Sequence, residues 1–191
     1  SGAPGFVGFR TNREDEGHKL RPGAPLPSEA ELAERWRAFR RWLPSVGRVS
    51  DEERAVIRWL HQALLSGLRL PELGDGWVFL NQEWRLRDGA GKPRKTDVLA
   101  VHAPSGRLGI VECKDEVGKR SAALEQLELY AGAWARDRSV LAPFFTTQLQ
   151  AMAKLHGADE RTLATTVSHD DDAARFFAWP RSGGMAVERI R

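Results

Sequence analysis

The chain holds a single cysteine, Cys113, among 191 residues. One cysteine excludes an internal disulfide and any cysteine-built zinc cluster, and it fits a reducing compartment such as the cytoplasm. No apolar run reaches the length that spans a bilayer, and no charged start followed by an apolar centre marks a secretory signal. A soluble cytoplasmic protein with no membrane partner is therefore expected. Internal repeats are lacking too, and charge of one sign is in small excess. Lys and Arg number 29 against 26 Asp and Glu, which leaves a formal net charge of +3. So mild a bias favours an anionic partner without naming it. What is present, 41% hydrophobic and 29% charged residues, suits one globular domain with a real core.

Residues 1–27 carry glycines, prolines and mixed charges without a period, and read as an N-terminal arm or loop. Residues 28–191 read as one domain with a core at about 50–146. Ser28 with Glu31, and Ser50 with Glu53, have capping-box spacing and open two helices. Leu32, Trp36, Phe39 and Leu43 make the apolar face of the first; Ile57, Leu60, Leu64 and Leu68 make that of the second. Val78, Leu80, Trp84 and Leu86 alternate through a first strand, closed by an Asp88-Gly89 turn with Gly91. Residues 98–102 and 108–114 give two more strands around Pro104-Ser105-Gly106, completing an antiparallel meander. A helix is expected over 121–136, a strand over 140–145, and a helix over 148–156. A strand near 162–167, a short helix after Ser168 and a last strand over 185–190 complete the reading. The fold class is α/β (α+β): a mixed central sheet flanked by helices.

Three charges stand at the ends of neighbouring apolar strands. Asp97 precedes Val98-Leu99-Ala100-Val101, and Glu112-Cys113-Lys114 ends Leu108-Gly109-Ile110-Val111. Buried charges need a partner or a metal. Glu112 and Lys114 lie two apart on a strand and share a face, while Cys113 points to the other. Pairing across the turn at 104–106 brings Asp97 to them. Two carboxylates suit Mg²⁺ (or Mn²⁺), a hard ion with oxygen ligands and several waters, and the Cys113 carbonyl offers a further oxygen. Such a metal polarises a phosphoryl group and activates water, with Lys114 serving the attacking water.

These motifs resemble the PD-(D/E)XK nuclease superfamily over residues 50–146, about half the chain. Asp97 matches the first motif acid, and Glu112-Cys113-Lys114 matches E-x-K. Gln126 and Tyr130 match the Q-x-x-x-Y element of the RecB-type branch. They stand four apart on one helical face beside Ala123 and Ala133. Thr96 stands where the family name has proline. The resemblance implies a restriction-endonuclease-like core of order αβββαβ, with an extra N-terminal helix and C-terminal additions. It also implies a metal-dependent deoxyribonuclease in which Asp97 and Glu112 bind the metal, and Gln126 and Tyr130 hold substrate phosphate or a metal-bound water. A further metal ligand in this family comes from the helix before the sheet. Glu53, His61 and Glu83 are the candidates, with Glu53 preferred.

Plainer readings stand beside these. The three charges alone could be a cross-strand salt bridge; Glu53 could be only a capping acid, and His61 only a core histidine. His169-Asp170-Asp171-Asp172 reads as helix capping rather than a metal site. Cys113 reads as a core residue rather than a nucleophile. Arg35, Arg37, Arg40, Arg41 and Arg48 read as a solvated helix surface. Arg85, Arg87, Lys92, Arg94 and Lys95 cluster near the site and read as a clamp on the nucleic-acid backbone, DNA being the expected partner. Cleaving both strands would need a homodimer or a partner protein supplying specificity. The competing function is a non-catalytic nucleic-acid-binding or assembly module with the same fold.

Overall fold

The structure, a computed structural model, describes residues 6–11, 60, 73–80, 82–155, 166–167, 171–181 and 184–191. Its elements in chain order are β1 (Phe6–Thr11), β2 (Trp77–Leu80), β3 (Gln82–Arg87), β4 (Pro93–Lys95), β5 (Val98–His102) and β6 (Arg107–Cys113). A single 3-10 turn leads into α1 (Arg120–Leu155), followed by β7 (Ala174–Arg181) and β8 (Gly184–Ile190). Five strands form a mixed sheet in the order β2-β5-β6-β7-β8, and a separate three-stranded sheet has the order β1-β3-β4. All neighbours are antiparallel except β6 and β7, which run parallel on either side of the α1 connection. The protein is thus α+β, with a mixed sheet and one long helix among the described residues. None of its described helices is long and apolar enough to cross a membrane.

Both faces of the five-stranded sheet are apolar, which is why its central strands read as nearly continuous hydrophobic runs. Leu99, Val101, Leu108, Ile110 and Phe177 face α1, where they meet Ala123, Leu127, Tyr130, Trp134 and Phe145. Val98, Ala100, Val111, Cys113 and Phe176 form the opposite face with Leu60 and Leu73. Trp84 and Leu86 from β3 join the α1 side, with Trp84 edge-on to Phe145 at 6.4 Å between ring centroids.

Several expectations need correction. The first strand is two: β2 stays in the large sheet, while β3 leaves it to pair with β1 and β4. Apolar alternation continues across residue 81 because Trp84 and Leu86 enter the same core from the second sheet. The Asp88 turn accordingly closes a β3–β4 hairpin instead of joining two strands of the meander. Asp88 Oδ1 accepts the N–H groups of Ala90 and Lys92, and Gly91 takes a φ of 78° that suits glycine. Within the expected N-terminal arm, Phe6–Thr11 form a strand on β3, whose free edge needs a partner.

The expected strand over 140–145 and the separate helix over 148–156 both belong to α1. Ala123, Leu127, Tyr130, Trp134, Asp137, Leu141, Phe145, Leu149 and Met152 keep a three-or-four-residue spacing of buried positions straight through it. Pro143 lies inside this helix and did not end it. The strand after the helix is therefore β7, so the core extends past residue 146. No helix forms over the described residues 171–173, and Asp172 instead accepts from Arg107. Residues 166–167 are not strand, whereas β8 matches the expected last strand. The two helices expected before β2, apart from helical Leu60, lie outside the described residues.

Candidate active site

Asp97 stands immediately before β5, one step beyond the Val98↔Val111 pair, so Glu112 of β6 lies across from it. Both side chains fall on the sheet face covered by α1, as strand alternation requires. Asp97 and Glu112 are buried, 8% and 2% exposed, and Lys114 is 6% exposed. Three ionisable groups under cover on one patch each need a polar partner. The Cys113 N–H donates to Asp97 Oδ2 at 2.9 Å. Lys114 Nζ donates to Glu112 Oε1 and to Gln126 Oε1, each at 2.6 Å.

From α1 the chain of contacts continues. The Gln126 side chain hydrogen-bonds Tyr130, one turn further along the helix, and the Tyr130 hydroxyl donates to the Lys95 carbonyl at 2.6 Å. Burial first, then the nearby Glu112 and Asp97 carboxylates, push the Tyr130 phenol well above the ordinary tyrosine range. The positive charge of Arg94 and the Gln126 hydrogen bond act in the opposite direction. Tyr130 is thus held neutral as a donor. It ties the catalytic-type patch to the hairpin that leads into Asp97.

The structure brings Asp97, Glu112, Lys114, Gln126 and Tyr130 together. Cys113 contributes its N–H, and its thiol is buried on the opposite face. Glu83 is not brought in: its carboxylate accepts from Lys95 Nζ at 3.1 Å. Glu53 and His61 lie outside the described residues. Of the five basic residues, Arg85, Arg94 and Lys95 line one cavity. In the β3–β4 register Arg94 faces Leu86 on the core side, and Arg85 faces Lys95 on the outer side.

Two residues passed over in the sequence help to build the site. Thr96, fully buried, accepts the Trp84 N–H on its Oγ1 at 3.1 Å and donates its own N–H to the Trp84 carbonyl at 3.0 Å. It fastens β3 to the residue before Asp97, a bond that proline could not make. Asp88 receives Arg94 Nε at 3.1 Å and aims that guanidinium. Its carboxyl lies below the ordinary range, chiefly because the Lys92 N–H stabilises the anion.

Among the described residues no group of three or more His, Cys, Asp or Glu side chains gathers at a metal-holding distance. The protein donors on this patch are the Asp97 and Glu112 carboxylates. Hard oxygen donors of this kind fit Mg²⁺ or Mn²⁺, whose remaining ligands would be water and substrate oxygen, better than a thiolate- or imidazole-seeking metal. No protein-family model, curated protein or solved structure matches this chain.

Proposed function

We propose that the chain is a metal-dependent nuclease of the PD-(D/E)XK type, hydrolysing phosphodiester bonds in DNA. One observation carries the reading. Asp97 and Glu112 lie across from each other at adjacent strand ends, and Lys114 links Glu112 to Gln126 within 2.6 Å. A sheet needs no paired acids at that point for its stability, since an apolar pair of similar volume would serve as well or better. The parallel β6–α1–β7 connection and the antiparallel neighbours β2, β5 and β6 support the reading, while the helix expected before the sheet lies, apart from Leu60, outside the described residues.

Asp97 and Glu112, with the Cys113 carbonyl, would hold Mg²⁺ or Mn²⁺. When bound, that ion polarises the phosphoryl group and acidifies water. The chain's residues do the rest. The Cys113 N–H fixes the Asp97 carboxylate. Lys114 would orient the attacking water and offset the negative charge of the transition state, and Gln126 keeps its ammonium aimed. Tyr130, held neutral, orients the Lys95 end of the hairpin that carries substrate phosphate.

Metal-dependent stabilisation tests the site. Asp97→Asn keeps an oxygen for the Cys113 N–H but loses the charge. At about a hundredfold excess of metal over Kd, wild type should gain about 2.7 kcal/mol, read as a rise in Tm of several degrees. The variant should gain little. Equal rises in both would remove Asp97 from the site. The small number of acidic ligands among the described residues favours a second reading, a non-catalytic nucleic-acid-binding module. That reading requires DNA binding with no metal effect on Tm.

A further inference from the structure

The basic residues of the β3–β4 hairpin differ in how their charges are met. Arg94 places its Nε on Asp88 at 3.1 Å, and Lys95 its Nζ on Glu83 at 3.1 Å. Arg87 Nη1 donates to the Gly91 carbonyl at 2.7 Å. Arg85 is different. It is half-buried, its Nε is shut off from water, and among the described residues its guanidinium makes no hydrogen bond or ion pair. A donor shut off from water without an acceptor is unfavourable. Arg85 stands directly across from Lys95, whose own charge is already met by Glu83. On its other side β1 brings Gly8, a residue with no side chain to offer. A cavity of about 260 Å³ opens here, lined by Arg85, Leu86, Pro93, Arg94 and Lys95.

We infer that Arg85 and Lys95 hold a phosphate group of the nucleic-acid backbone in this cavity, with Arg85 as the anchor. The guanidinium offers a planar pair of donors that matches two phosphate oxygens, and Lys95, directly across from it, adds a second cation beside the cavity. Naming the phosphate as part of a nucleic acid rests on the nuclease reading; the cavity and the unmet charge do not. The location is suited to that reading. Lys95 lies two residues before Asp97, a span of about 7 Å along an extended chain. Its carbonyl is held by Tyr130, so a phosphate seated at Arg85 is fixed relative to the acids.

The full chain is compared with Arg85→Ala, Lys154→Ala and Asp97→Asn. Duplex DNA binding is followed by fluorescence anisotropy in Ca²⁺ over a range of salt, and Tm is measured with and without inorganic phosphate. Arg85→Ala should lose about tenfold or more in DNA affinity, with a salt dependence shallower by about one phosphate. Lys154→Ala, which removes an exposed cation at the end of α1, should lose no more than about threefold. Phosphate should raise the Tm of wild type and Asp97→Asn but not that of Arg85→Ala. Without ligand, Arg85→Ala should melt no lower than wild type, because it removes an unmet charge. Equal affinity losses for Arg85→Ala and Lys154→Ala would overturn the assignment. So would an Arg85→Ala protein that melts several degrees lower, or one that phosphate stabilises as it does wild type. Arg85-dependent stabilisation by phosphate without DNA binding would uphold the anion site, identify its ligand as free phosphate, and defeat the nuclease reading instead.

Discussion

Tyr130 is the only tyrosine in the chain, so its ionisation can be followed by phenolate absorbance without interference from other phenols. Its pKa in the folded protein is raised, by burial first and by the neighbouring carboxylates next. Above the unfolded value of about 10 the unfolded chain releases this proton while the native chain keeps it, so stability falls as pH rises. Phenolate should appear only with alkaline unfolding, and Tyr130→Phe should flatten that limb of the stability profile. A titration complete before unfolding would contradict the buried, donor-only role. Lys114 and Glu112 give a second expectation. Lys114→Ala leaves Glu112 buried beside Asp97 without its cation and should cost about 3–5 kcal/mol in denaturant unfolding. The Glu112→Gln/Lys114→Met double variant should recover most of that stability and stay inactive; a double variant as unstable as the single one would show that the pair is not coupled. At this scale the sequence was highly legible. Two acids and a lysine at strand ends, with Gln126 and Tyr130 four apart, fall together as alternation and helical spacing require. Thr96 and Asp88 were not legible as site builders, because backbone bonds to distant strands leave no periodic trace.

Among the elements, the central strands and the start of α1 followed directly from apolar runs and spacing. The errors arose where two signals coincided. Trp84 and Leu86 extend the alternation of β2 although they belong to the second sheet. Val140-Leu141-Ala142-Pro143-Phe144-Phe145 combines β-branched, aromatic and proline residues, which outweighed a helical stripe already running from Ala123. Tertiary packing of Leu141 and Phe145 against the sheet overrides the local preference. Gly109 in β6 shows how tightly the elements are fitted. A Cβ there would lie 2.7 Å from the Trp77 ring and 3.1 Å from Phe176. These rings meet edge to face at 5.2 Å across the strand. Trp77 is further fixed by its Nε1 donating to the Leu73 carbonyl at 3.0 Å. Gly109→Ala should therefore destabilise by about 1–3 kcal/mol in urea unfolding, without altering the Asp97 face of the sheet directly. A neutral substitution would mean that β2 can move away freely.

At the scale of the molecule, the two sheets of the described residues pack on α1. The five-stranded sheet presents the acids beneath α1, and the three-stranded sheet presents the basic hairpin, with Tyr130 and Thr96 joining them. This juxtaposition follows from contacts across more than ten residues that no local pattern records. The most direct test is cleavage. Linear duplex DNA is incubated with the purified chain in Mg²⁺ and then in Mn²⁺, beside Asp97→Asn and an EDTA arm. A nuclease working through Asp97 and Glu112 cuts only in the wild-type reactions that contain metal. Cleavage that persists in EDTA or in Asp97→Asn would contradict the site, as would intact DNA in every reaction from a chain whose Tm metal leaves unchanged.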